Sequence, residues 1–204
     1  MKKLSIIFIL ASYFSNAQCA DKQIVDFDES PHANQTGFYY KDLHNVYNNF
    51  EGTYKYTNGS TSFEIVLQKK EGSIIPSGRY CQDMIIGGYK YIKNGQLITD
   101  QLSNVNINLS NGTNHIISGS LIYTGTEYGC DECSPNEKRL KISIEDPHSG
   151  DICNTEVRRI VHYGQQAIKI HLSVELWARI RIEGDPPLPE IMLPMGQDLI
   201  LIKQ

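Results

Sequence analysis

The run IKIHLSVELWARIRI at residues 168–182 decides the fold. Every even position is apolar (Ile168, Ile170, Leu172, Val174, Leu176, Ala178, Ile180, Ile182), while the odd positions hold Lys169, His171, Ser173, Glu175, Trp177, Arg179 and Arg181. Side chains alternate across a strand with a period of two, whereas a helix would bring positions three and four apart onto one face, so this run is β structure with one buried face. At roughly 3.3 Å per residue it would extend about 50 Å, well beyond an ordinary strand. A bend or bulge is therefore expected near Trp177 and Ala178, where the chain passes between sheets or rounds a barrel corner. Trp177 stands on the polar parity beside Arg179, placed either to stack under the arginine or to mark, with Arg181, a contact face.

The same logic extends outward. Leu140, Ile142 and Ile144 alternate with Lys141, Ser143 and Glu145 until Asp146-Pro147, where proline cannot donate to a ladder, and His148-Ser149-Gly150 makes the turn. Residues 52–57 and 61–70 flank Asn58-Gly59, a dipeptide that accepts the positive φ values of a tight hairpin. Further strands are expected at 79–86 and 89–92, split by Gly87-Gly88, at 97–102 after Asn94-Gly95, at 105–109 before Asn111-Gly112, and at 199–202. Pro186-Pro187-Leu188-Pro189 forces a loop before the last of these. One short helix is expected at 42–49, where Leu43, Val46, Tyr47 and Phe50 form a stripe that Asp42 could cap. The prediction is an all-β domain: an antiparallel up-and-down barrel of about 8–10 strands, with a two-sheet β-sandwich as the alternative.

The first residues address the chain outward. Lys2 and Lys3 precede an apolar stretch at 4–14, and Ser15-Asn16-Ala17 offers small residues for cleavage after Ala17. That stretch is too short for a membrane-spanning helix, which needs about 20 apolar residues. The expected division is a signal peptide at 1–17, a polar extended arm at 18–41, and a single barrel domain at 42–204, secreted to the periplasm or beyond. Lipidation of Cys19 is disfavoured because Gln18, not a small residue, stands before it. The chain carries 19 Lys and Arg against 23 Asp and Glu, a net charge of −4, so it lacks the basic field that gathers nucleic acid.

Several stretches resemble a family of small secreted bacterial proteins of unknown function: Tyr40-Lys41-Asp42-Leu43, Phe50-x-Gly52-Thr53, Phe63-x-Ile65-x-Leu67-x-Lys69-Lys70, residues 83–91, and 199–203. The Phe50-Glu51-Gly52-Thr53-Tyr54 start is also similar to the opening of lipocalin-like (calycin) barrels, in which the aromatic is usually tryptophan. The resemblance implies secretion and a lipocalin-like barrel, and it transfers no catalytic or binding residue.

Candidate chemistry is sparse. Five cysteines would survive cleavage, and in an oxidising compartment Cys81, Cys130, Cys133 and Cys153 are disulfide candidates. Cys130 and Cys133 either bond each other or reach Cys81 and Cys153, with Cys19 left over. A thioredoxin-like role for Cys130-Asp131-Glu132-Cys133 lacks its helix, and a zinc site lacks a second pair. Glu127, Asp131, Glu132 and Glu137 match no calcium loop, and six scattered histidines form no ligand pair, so neither metal nor cofactor is expected. No nucleophile stands with a base, which points away from an enzyme. Twelve tyrosines remain, and Tyr54, Tyr56, Tyr89, Tyr91 and Tyr123 on predicted strands (with Tyr80 and Tyr163 expected there too) could line an interior that packs a small apolar or amphipathic ligand. The other reading is a filled core with a macromolecular partner on the outer surface.

Overall fold

The computed structural model describes residues 19–27, 35–75, 79–174, 187 and 189–204. Its strands are β1 (Gln23–Asp26), β2 (Phe38–Lys41), β3 (Gly52–Asn58), β4 (Thr61–Ile74), β5 (Cys81–Lys93), β6 (Gln96–Asp100), β7 (Ile117–Thr124), β8 (Lys138–Glu145), β9 (Ile152–His162), β10 (Gln165–His171), β11 (Ser173–Val174) and β12 (Asp198–Lys203). Eight of them, in the order β5-β4-β3-β12-β10-β9-β8-β7, close into an antiparallel barrel when β7 returns to β5 through Ile85–Gly119 to Gly87–Ile117. Closure removes the open edges that a sandwich would have to protect, so the up-and-down barrel is the form adopted.

Strand β5 organises the closure. One edge pairs with β4 over nearly its whole length, and the other is shared in turn by β2 at Cys81 and Gln82, by β7 at residues 85–87, and by β6 at residues 90–93. The turn expected at Gly87-Gly88 is absent, and β5 runs straight through. Both glycines serve close approach: a Cβ on Gly87 would lie 2.3 Å from the Val66 carbonyl, and one on Gly88 2.2 Å from that of Gln101. The strand expected at 105–109 is likewise replaced by a 3-10 turn, Leu102–Asn106, whose Val105 covers Met84, Ile86 and Val66 on the outer wall. Apolar residues on both faces of β5 demand a second cover, and that demand overrides the local alternation.

Inside the barrel, Phe63, Ile65, Leu67, Ile85, Ile117, Leu140, Ile142, Ile144, Val157, Ile168, Ile170, Leu199 and Leu201 form one core and are essentially fully buried. Each contributes on the order of 1.5–3 kcal/mol by leaving water. The hairpin at Asn58-Gly59 forms as expected, with Gly59 at φ +58°. The alternating run that predicts the fold holds as β10, breaks at Leu172 and resumes as β11, and the bend expected near Trp177 and Ala178 lies outside the described residues. Trp177, Arg179 and Arg181 lie outside the described residues.

One end of the barrel is closed by the segment before β3. The helix expected at 42–49 is reduced to a 3-10 turn, Tyr47–Asn49, because Asn45 takes φ +54° and breaks the helical path. Asp42 still caps the segment, accepting from the amides of Val46 (2.8 Å) and Tyr47 (3.0 Å). Val46, Tyr47 and Phe50 plug the barrel while Leu43 is exposed. The polar stretch expected as an arm carries β1 and β2, which pair in parallel and reach β5.

Candidate functional site

The other end is different. The β5–β6 hairpin, the β8–β9 turn and the segment leading to β12 meet there around a cavity of about 340 Å³, lined by Tyr89, Tyr91, Leu97, Ile98, Asp146, Pro147, His148, Met192 and Leu193, among others. Tyr89 and Tyr91 come from the inward parity of β5 and rest on Phe63, with ring centroids 5.6 and 5.9 Å away. Tyr89 donates its hydroxyl to the Glu145 carbonyl at 3.0 Å. Burial, then the charge of Asp146, pushes its phenol well above the usual range, and burial followed by nearby Tyr56 raises that of Tyr91. These rings stay neutral and present a π face and a hydrogen-bonding tip.

Asp146 is the anchor of this mouth and is almost completely buried. One carboxylate oxygen accepts from the His148 amide at 2.8 Å, and the other accepts from the amides of Met192 and Leu193. Asp146 thus ties the β8–β9 turn to the returning chain and holds two apolar side chains over the tyrosines. Its role is not visible from sequence, where Asp146-Pro147 serves only as a strand terminator.

The five tyrosines proposed from sequence are not all brought together. Tyr89 and Tyr91 line the mouth, and Tyr56 packs on the same core and also borders a groove along β12. Tyr54 is at the closed end, its hydroxyl donating to the Phe50 carbonyl at 3.1 Å. Tyr123 faces the outer wall, against the Tyr128 ring and the Arg139 guanidinium. Tyr163, expected on a strand, is instead at a turn with φ +47° and is 94% exposed.

The cysteines also sort differently from the expectation. Cys130 and Cys133 bond each other, but Cys81 bonds Cys19, and Cys153 is a free, buried thiol. The reason is position along the barrel: Cys153 points into the main core, 3.7 Å from the Met195 sulfur, whereas Cys81 stands at the start of β5 in a separate cluster with Cys19, Tyr39 and Ile74. Burial pushes the Cys153 thiol up to about 11. Around the Cys130–Cys133 loop, Glu132 and Glu137 pair with Arg158, and Glu156 pairs with Arg139. The acids thus brace the loop against the barrel wall. Among the described residues no three His, Cys, Asp or Glu side chains converge as a metal site would require, and no helix is long and apolar enough to cross a membrane.

Fold and cavity define the class: a closed eight-stranded antiparallel barrel with one plugged end and one concave mouth. The whole chain, residues 1–204, matches the model of a family of unknown function, DUF6705, and belongs to that family. No curated protein and no solved structure matches it.

Proposed function

We propose that this protein is a secreted, non-enzymatic barrel that binds a small apolar or amphipathic ligand at its mouth. The observation that carries the reading is the cavity of about 340 Å³, in which Tyr89, Tyr91, Leu97, Ile98, Met192 and Leu193 surround a few fixed polar groups. Core side chains fill the middle of the barrel, so the ligand sits against the rings of Tyr89 and Tyr91 and does not penetrate further. Tyr56 supports those rings from the core. Two disulfides favour an oxidising compartment, and a mature chain beginning at Gln18 would place Cys19 where it can staple the N-terminus to β5.

The test is a native mass spectrum of the protein isolated from its own cell envelope or medium. The expected result is a chain beginning at Gln18, lighter by two hydrogens for each of the two disulfides, with an extra mass that leaves on denaturation and is lost in Tyr91→Ala. A bare chain would turn the reading toward a filled barrel that contacts a macromolecular partner through its outer surface.

A further inference from the structure

A second cavity, of about 440 Å³, lies outside the plugged end and is lined by Asn48, Asn49, Tyr54, Arg159, Val161, Gln166 and Lys203, among others. Its charges are misplaced for a barrel. Cys153, Thr155 and Val157 set the inward parity of β9, and Arg159 continues it. Leu199 and Leu201 set the inward parity of β12, and Lys203 continues it. Both strands run past the plug on a parity that elsewhere is apolar, and both place a cation there.

Among the described residues no carboxylate comes within ion-pairing distance of Arg159 or Lys203, whereas Lys55, Lys90, Arg139, Arg158 and Lys169 of the barrel wall each have one. Aromatic faces hold the two instead. The Arg159 guanidinium carbon is 5.7 Å from the Phe50 ring centroid, and the Lys203 ammonium is 5.7 Å from that of Tyr54. Glu51, whose charge is felt at Tyr54, accepts from the Lys69 amide at 2.8 Å. Gly52, with φ +139° and no Cβ, leaves room for the end of the Lys203 side chain, since a Cβ there would stand 2.8 Å from Cε. Asn48 and Gln166 add side-chain amide donors, Asn49 donates its own to the Val46 carbonyl at 3.2 Å, and Val161, 73% exposed, adds an apolar flank.

Two positioned, unpaired cations with amide donors in one concavity, on a chain of net charge −4, are what an oxyanion needs for charge-assisted hydrogen bonds. We propose that this cavity is an anion site that takes the carboxylate or phosphate of a small amphiphile between Arg159 and Lys203, with the apolar part of the ligand against Val161. It is separate from the mouth and does not depend on the ligand proposed there.

The experiment is an amide NMR titration of the disulfide-intact protein with inorganic phosphate and, separately, with octanoate at constant ionic strength. Saturable shifts centred on Val161, Gln166 and Lys203 are expected from at least one probe. Octanoate alone would identify a carboxylate amphiphile, and phosphate a phosphorylated ligand. Arg159→Gln and Lys203→Met, which keeps the stem over Tyr54, should each weaken binding about tenfold, as loss of one charged hydrogen bond does. Asn48→Asp, at an exposed position of the lining, should abolish binding while leaving the spectrum native. Shifts that stay linear for both probes, shifts centred on Tyr91 and Leu97, or full affinity in Asn48→Asp would each overturn the proposal.

Discussion

The two ends of the barrel are built from the same alternating strands and finish in opposite ways. At the closed end Phe50 and Tyr47 are fully buried, and a network centred on the buried carboxylates Asp83 and Asp42 stands beside them. Asp83 accepts from the Tyr39 hydroxyl (2.6 Å), the Gly72 amide (3.0 Å) and the Asp42 amide (3.0 Å). Lys69 stands 3.3 Å from Asp42. The Gly72 amide reaches Asp83 because a bulge between Lys70 and Ser73, with Gly72 at φ +60°, turns it inward. At the open end one buried carboxylate, Asp146, does the corresponding work alone, and the chain it holds leaves a cavity above Tyr91. The buried polar network stands at one end, and the cavity lined by Tyr89 and Tyr91 stands at the other. A ligand site needs surface that the core has not consumed, so this division is what binding by a small barrel requires.

The comparison breaks if the ends prove equally tolerant. Phe50→Ala should destabilise the protein by about 3–5 kcal/mol in urea unfolding, because the plug leaves a cavity that rigid strands cannot fill. The two disulfides should differ according to the length of chain that each closes. Cys19–Cys81 closes a separation of 62 residues and ties the N-terminal strands to β5, so Cys81→Ser should cost about 4 kcal/mol. Cys130–Cys133 closes a separation of 3 on the outer wall, and the same chain-entropy argument gives about 2 kcal/mol for Cys130→Ser. Equal losses in the two variants would refute the ranking.

A pH series sharpens the picture without mutation. Burial raises the Cys153 thiol from 9.0 to about 11 and lifts the phenols of Tyr39 and Tyr89 above their ordinary range. Each is an acid whose folded pKa exceeds its unfolded value. The folded state therefore binds more protons than the unfolded one as pH rises, and the stability these groups contribute is complete below pH 9 and drains away above it. Urea midpoints should fall between pH 9 and 11, and Cys153→Ala should remove part of that fall. The native protein should resist a thiol reagent at pH 8 and take up one equivalent when unfolded with its disulfides intact.

Much of this fold was legible from residue periodicity. The strict alternation of residues 168–174 and 140–144, with Asn58-Gly59 and Asn94-Gly95 as turns, dictates antiparallel strands with one buried face. Gly87-Gly88 misled, since a glycine pair signals a turn and a close approach of backbones alike, and only the neighbouring strand decides between them. The helix at 42–49 failed at Asn45, whose residue type tolerates positive φ but does not announce it. Cys19 was set aside because an arm with no periodicity gave no reason for order, yet β1 and β2 supply it through pairing with β5. At the sites, tyrosine abundance pointed to Tyr89 and Tyr91 but not to Asp146, whose partners at 192 and 193 are distant in sequence. Arg159 and Lys203 did leave a signal: each is a cation on the apolar parity of its strand.

The smallest effect on stability is expected at the mouth, and it discriminates most sharply. Leu97 lines the cavity but is 54% exposed, so shortening it removes little surface that folding had buried. Leu97→Ser should change unfolding free energy by less than about 0.5 kcal/mol, as surface substitutions do. The same change takes an apolar wall from any ligand seated on Tyr91, so the ligand-bound fraction in the native mass spectrum should fall while the urea midpoint does not move. If instead Leu97→Ser destabilises the barrel as strongly as Phe50→Ala, the mouth is part of the core and both ends are closed. If it leaves both stability and bound mass untouched, the ligand lies elsewhere, and the cavity between Arg159 and Lys203 becomes the site to occupy first.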